Sequence, residues 1–305
     1  MYASKFQVRC SSIDSIMASM SLTHKQYWRM VYLIRRRSGK TVSVKTGKKE
    51  TGLSKNMVEE LRDLLANHNR PSLPAGLKTY CEDWLTSKIY NRYKDFTSRV
   101  TEQGNRGEEQ AIELTGKYES DPFMFKHEGR MSDGFINGEC DVLTPVAVYD
   151  TKCSDNPFTF PLWSSTIDKG YHAQLQGYGH LYKRKSLVLA YCLVSKPMDM
   201  IERSAFFKTK AKYGPEYTED EYQEILTEEI RNNTYDDLPI QLRVKLYKFD
   251  ADPKFIEQVH DRVKMCRKYI ATLEEQLIAE GKHPMYFDKE PTQLTALQGD
   301  KLQVA

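Results

Sequence analysis

The sequence predicts an α/β (α+β) fold, a central mixed β-sheet flanked by helices, with a helical region on its N-terminal side. Four observations carry this. Apolar residues recur at helical spacing from residue 54 to about 115. Between Phe123 and Cys153 they give way to short apolar runs separated by Gly, Asn, Asp and Pro, and the helical period returns after residue 168. Leu187 to Val194 is an unbroken apolar run of strand length, far short of the ~20 residues of a membrane-spanning helix. Arg243 to Phe249 alternates strictly and reads as a half-exposed strand.

The 305 residues suffice for one large domain or two small ones. Lys+Arg 45 against Asp+Glu 42 leaves +3, so the chain is no global polycation, and a nucleic-acid surface would have to be local. With 40% hydrophobic and 29% charged residues, neither a disordered chain nor a membrane protein is expected. The opening residues hold no apolar stretch of signal-peptide type, so the expected compartment is cytoplasmic. Cys10, Cys81, Cys140, Cys153, Cys192 and Cys266 form no CxxC pair and are read as reduced core thiols.

In chain order, Lys5 to Cys10 reads as an extended arm that enters a helix with Ser12 as N-cap. Between Lys25 and Lys49 come Arg29, Arg35, Arg36, Arg37, Lys40, Lys45 and Lys48, with no acid before Glu50. This is the local positive charge that the overall balance hides. Helices are expected over 54–67, about 75–93 and about 102–115, the last ending at Gly116. A β-meander follows over 123–153, then a helix over 168–183 and a charged, interrupted helical stretch over 203–233. The stripe Phe255, Ile256, Val259, Val263, Cys266, Ile270, Leu273 and Leu277 marks a long helix over 253–280, and the tail after Pro284 reads as irregular. The domain division read from these patterns is a basic helical region 1–99, a core 100–283 and a tail 284–305.

Three charged residues have the spacing of a metal site on adjacent strands. Asp150 and Lys152, two apart on one strand, share a face, and Asp141, nine residues before Asp150, is at hairpin distance. Close carboxylates repel, which raises a pKa or recruits a hard divalent cation such as Mg²⁺ or Mn²⁺. A neighbouring lysine can orient water or stabilise charge on a phosphate. The chemistry implied is metal-assisted phosphodiester hydrolysis. The plainer reading has Asp141 and Asp150 capping turns, with Lys152 in a surface ion pair.

Gly104, Glu108 and Ala111 precede these residues, and Gln174 and Tyr178 follow them. In this order the chain resembles the PD-(D/E)XK nuclease superfamily, specifically the phage-type exonucleases of the lambda exonuclease and YqaJ kind, with RecB-like features in Gly138-x-x-Asp141 and Gln174-x-x-x-Tyr178. The resemblance spans roughly residues 100 to 195. It implies a restriction-endonuclease-like core and metal ligation by Glu108, Asp141, Asp150 and the Thr151 carbonyl. It also implies that Lys152 assists the water and that Gln174 belongs to the catalytic set. The proline of the family motif is replaced by Cys140, and Ser132-Asp133-Gly134 offers a second acid. Asp141 is preferred over Asp133 because nine residues form a hairpin and seventeen need extra structure; Glu108 is preferred over Glu109 because it keeps the spacing to Gly104 and Ala111.

Arg9, Ser11 and Ser12 place a cation and hydroxyls at an expected helix N-terminus, a phosphate seat or a plain cap. Arg35, Arg36, Arg37 and Lys40 read as a solvated face or, beside a nuclease site, as a backbone-tracking arm, with Tyr27, Trp28 and Tyr32 available to stack on bases. Tyr178, one turn after Gln174, is counted with the DNA-binding residues. The resemblance implies a Mg²⁺- or Mn²⁺-dependent exodeoxyribonuclease acting on double-stranded DNA ends in recombination or replication, in a phage or prophage setting. Its expected partners are DNA, a single-strand annealing protein and further copies of itself, with no membrane and no iron–sulfur cluster. The runner-up is a catalytically weak DNA-binding or partner-binding protein that keeps the fold.

Overall fold

The computed structural model describes residues 1–44, 46–69, 72–94 and 99–287, the side chains of 99–103 and 105 excepted. Lys45 of the basic stretch and the tail beyond residue 287 lie outside the described residues. The chain opens with β1 (Val8–Arg9), a short 3-10 turn Cys10–Ser12 and α1 (Ile13–Ile16), followed by α2 (His24–Arg37), β2 (Thr41–Val42), β3 (Lys49–Glu50), α3 (Lys55–Asn69), α4 (Ala75–Tyr90) and α5 (Arg99–Glu119). Then come β4 (Met131–Ser132), β5 (Ile136–Gly138), β6 (Val142–Leu143), β7 (Ala147–Cys153), α6 (Lys169–Tyr182), β8 (Ser186–Cys192), α7 (Met198–Tyr213), α8 (Glu219–Asn233), β9 (Val244–Asp250) and α9 (Pro253–Ala279).

Among the described residues two compact units result, one of residues 1–4, 15–91 and 264–287, the other of 5–14 and 92–263. This differs from a division at residue 99, because β1 joins the second unit by pairing with β5 and the end of α9 joins the first. In the first unit, α2 and α3 bury Met30, Leu33, Leu61 and Leu64 against each other, and Arg29 grips Glu60 through Nε (2.9 Å) and Nη2 (2.8 Å). The start of α2 is fixed by a capping box of Thr23 and Gln26.

In the second unit the main sheet runs β6-β7-β8-β9, with β7 and β8 parallel and the outer pairings antiparallel. Ala147, Tyr149 and Cys153 of β7 pack with Ala111, Ile112 and Leu114 of α5. Asp150 points to the opposite face, where Gln174 of α6 meets it. The apolar run of β8 is buried throughout Leu187–Ala190 because both faces are covered, as its sequence suggests.

The segment between residues 123 and 153 departs from a single meander. Phe123 and Phe125 are exposed and outside any strand, while β4 and β5 form a separate small sheet with β1, which runs parallel to β5. Helix α5 continues through Gly116 instead of ending there. A Cβ at that position would sit 2.9 Å from the Asp121 carbonyl and 3.2 Å from Met124, so this glycine serves close approach of the following turn. Ser12 is no N-cap: it lies inside the 3-10 turn, whose cap position is Arg9 and carries no side-chain cap bond. The six cysteines are free thiols, and all but Cys153 are buried. Among the described residues no helix is long and apolar enough to cross a membrane.

Candidate active site

The alternation of β7 sets the centre. Tyr149 turns to the apolar face under α5, which leaves Asp150 and Lys152 together on the other face, their Oδ2 and Nζ 2.7 Å apart. Asp150 is 1% exposed, and burial, partly offset by Lys152 and reinforced by Asp141 and Glu108, pushes its carboxyl up to about 7. Burial pulls the Lys152 ammonium down, but the Asp150 charge outweighs it and the net direction is up, so Lys152 is held as a cation. It also lies over the Tyr171 ring, 5.0 Å from the centroid.

Asp141 stands immediately before β6, whose antiparallel register sets Val142 against Tyr149. The hairpin brings its Oδ2 to the next strand, where it accepts from the Thr151 N–H (2.6 Å) and the Thr151 hydroxyl (2.8 Å). From α6, Gln174 Nε2 donates to Asp150 Oδ1 (2.9 Å) and to the Tyr178 hydroxyl (2.9 Å), both side chains being buried. Glu108 reaches the site from α5, in the turn where Gly107 lets the helix approach the sheet. A Cβ there would lie 3.0 Å from both Cys153 Sγ and Val194. Its carboxylate pairs with Lys126 at 3.2 Å, while Glu109, one residue on, is exposed.

Asp150 Oδ2 is a buried carboxylate oxygen whose partner is the Lys152 ammonium at 2.7 Å. This buried carboxylate, with Asp141 and with Glu108 within electrostatic reach, makes a hard-donor set that suits Mg²⁺ or Mn²⁺. The three acids are not closed up: among the described residues, the group whose ligand atoms all lie within 4.8 Å of one another is Asp133, His180 and His260. Asp133 is thus directed to two histidines that have no pattern in the sequence, since residues 133, 180 and 260 sit on a turn and two remote helices.

Arg9, at the cap position of the short turn that packs on α6, and Ser11, within that turn, are exposed, and α1 is a single turn, too short to build an anion seat at its N-terminus. In the basic stretch, Arg35, Arg37 and Lys40 are exposed. Arg36 instead donates to the Tyr32 hydroxyl (2.9 Å) and the Gly52 carbonyl (3.1 Å) and faces Glu50 at 3.6 Å, and Tyr32 itself donates to Glu50 (2.8 Å). The acid that closes the basic run therefore occupies both residues, while Tyr27 and Trp28 remain exposed.

No protein-family model and no curated protein matches the chain. Solved structures do. A phage-related exonuclease from Haemophilus somnus 129PT is similar at TM-score 0.59 and 21% identity, over 90% of this chain and 96% of that one. An alkaline exonuclease from Laribacter hongkongensis, also solved in complex with dAMP, is similar at TM-score 0.52 and 10% identity, over 92% of this chain and 96% of that one. The chain shares the fold of these structures, an α/β nuclease fold, over nearly its whole length.

Proposed function

We propose that the chain is a phage-type exodeoxyribonuclease of the PD-(D/E)XK kind, hydrolysing phosphodiester bonds at duplex DNA ends with Mg²⁺ or Mn²⁺. The observation that carries this is Asp150: a fully buried carboxylate, costly to ionise, paired with Lys152 and held by Gln174. A carboxylate buried at such cost beside Asp141 and within electrostatic reach of Glu108 is the setting of a functional site, and a bound cation would offset that cost. The similarity of fold to two exonucleases supports the same reading.

Glu108, Asp141, Asp150 and the Thr151 carbonyl would hold the cation. When bound, it would supply Lewis-acid polarisation of the phosphate and a more acidic water. The chain's own groups do the rest. Lys152, kept protonated by Asp150, is suited to neutralise charge developing on a phosphate oxygen and is poorly suited to act as a base. Thr151 fixes the Asp141 carboxylate through two hydrogen bonds, and Gln174 fixes Asp150 while being held in turn by Tyr178. Exposed Arg35, Arg37 and Lys40, with Arg9, are the proposed backbone contacts. Action in recombination or replication in a phage-infected or prophage-bearing cytoplasm, alongside an annealing protein and as an oligomer, belongs to the same proposal.

The test is digestion of end-labelled linear and closed circular duplex DNA with and without Mg²⁺. Loss of the linear substrate alone, and only with the cation, is expected. Binding of both without cleavage of either would favour the DNA-binding reading.

A further inference from the structure

Outside the acid set, Asp133, His180 and His260 converge, their ligand atoms all within 4.8 Å of one another. Asp133 lies in the turn between β4 and β5, His180 in the last turn of α6 and His260 in the second turn of α9. Asp133 Oδ1 is pinned by the N–H groups of Phe135 (2.8 Å) and Ile136 (2.8 Å), which turns Oδ2 toward the imidazoles. There it lies 2.9 Å from His180 Nε2 and 2.8 Å from His260 Nε2. The His260 ring is fixed by stacking on Phe135, centroids 4.5 Å apart and 19° between planes, and the two imidazoles meet edge to face at 5.3 Å. His260 Nε2 is shielded from solvent and makes no aligned hydrogen bond, even to the oxygen 2.8 Å away.

An Asp–His pair held by hydrogen bonding alone would align the donor with the acceptor. Here one oxygen faces two ring nitrogens and satisfies only the exposed one. Two imidazole nitrogens and one carboxylate oxygen, all within 4.8 Å and each held from behind or beside, are instead the donor set of a three-ligand site for a borderline transition cation. We propose that Asp133, His180 and His260 form a second metal site, separate from the acid set, that takes a Zn²⁺-type ion with water in its fourth position. In tetrahedral coordination at ~2.1 Å, ligand atoms stand ~3.4 Å apart, so seating the ion widens the two Asp133–His separations by about half an ångström. The residual exposure of Asp133 and His180 leaves that path open. Two nitrogen donors disfavour Mg²⁺, which sets this site apart from the hard oxygen set around Asp150. The ion would tie together a strand turn, the end of the helix carrying Gln174 and the start of α9.

The test uses the full chain stripped with a chelator and titrated with Co²⁺, whose visible absorption reports nitrogen ligation. One Co²⁺ per chain with that absorption is expected, displaced by one equivalent of Zn²⁺ and not by millimolar Mg²⁺. It should persist in Asp150→Asn, which removes a ligand of the other set and so separates failure here from failure of the nuclease reading. His260→Ala and His180→Ala should each weaken binding by at least about tenfold. Should His260→Ala not fold, the exposed His180→Ala and Asp133→Asn decide. Absence of the band in the wild type, or a band unchanged in the folded variants, would overturn the proposal.

Discussion

Replacing Asp150 by Asn should make the metal-free protein more stable at neutral pH while removing nuclease activity. The buried carboxyl is shifted from an ordinary 3.8 to about 7, chiefly by burial, and the pull of Lys152 is already contained in that value because it acts downward. For an acid raised in this way, the native state binds the proton more tightly than the unfolded chain between the two values. Stability is therefore lost as pH rises through that window, and the loss is complete above about pH 7. At about 1.36 kcal/mol per pH unit, the window amounts to a ceiling of about 4 kcal/mol. Asn keeps the shape and carries no proton to lose. Guanidinium unfolding of both proteins in EDTA from pH 4 to pH 8 should show a difference near zero at pH 4 that grows to a few kcal/mol by pH 8. A difference independent of pH would mean that Asp150 is not held in the costly setting on which its proposed role rests.

Lys152→Met should lower cleavage by on the order of 10²–10³-fold, measured under single turnover, and also reduce stability at pH 8, because it leaves the buried Asp150 charge unpaired. Asp141→Asn should abolish Mn²⁺ binding to the acid set in calorimetry, and Asp133→Asn should keep it; the reverse would move the nuclease metal to the Asp133 turn. Arg35→Ser, Arg37→Ser and Lys40→Ser combined should weaken DNA binding regardless of sequence and flatten log affinity against log salt by up to ~0.9 per lost phosphate contact. An unchanged slope would identify an ordinary solvated face.

The strands and helices that frame Asp150 were legible because their patterns are local. The period-two placement of Asp150 and Lys152, the nine-residue return from Asp141 and the helix carrying Gln174 each follow from neighbouring residues. What stayed hidden depends on tertiary approach. Gly116 reads as a stop in one dimension and is a point of close packing in three. The parallel pairing of Val8–Arg9 with Ile136–Asn137 joins residues more than 120 positions apart, and no alternation could announce it. The engagement of Arg36 and Tyr32 with Glu50 depends on the hairpin of β2 and β3 folding back on α2. His180 and His260 carry no motif, and only the folded chain aims them at Asp133.

The central claim is that the Asp150 constellation is a metal-dependent hydrolytic centre. It is tested most directly by the rate of nucleotide release from linear duplex DNA at saturating substrate, for the wild type with Mg²⁺, the wild type in EDTA, and Asp150→Asn with Mg²⁺. Release by the first alone, with the variant folded and still binding DNA, is the predicted result. Equal release by wild type and Asp150→Asn would contradict the claim.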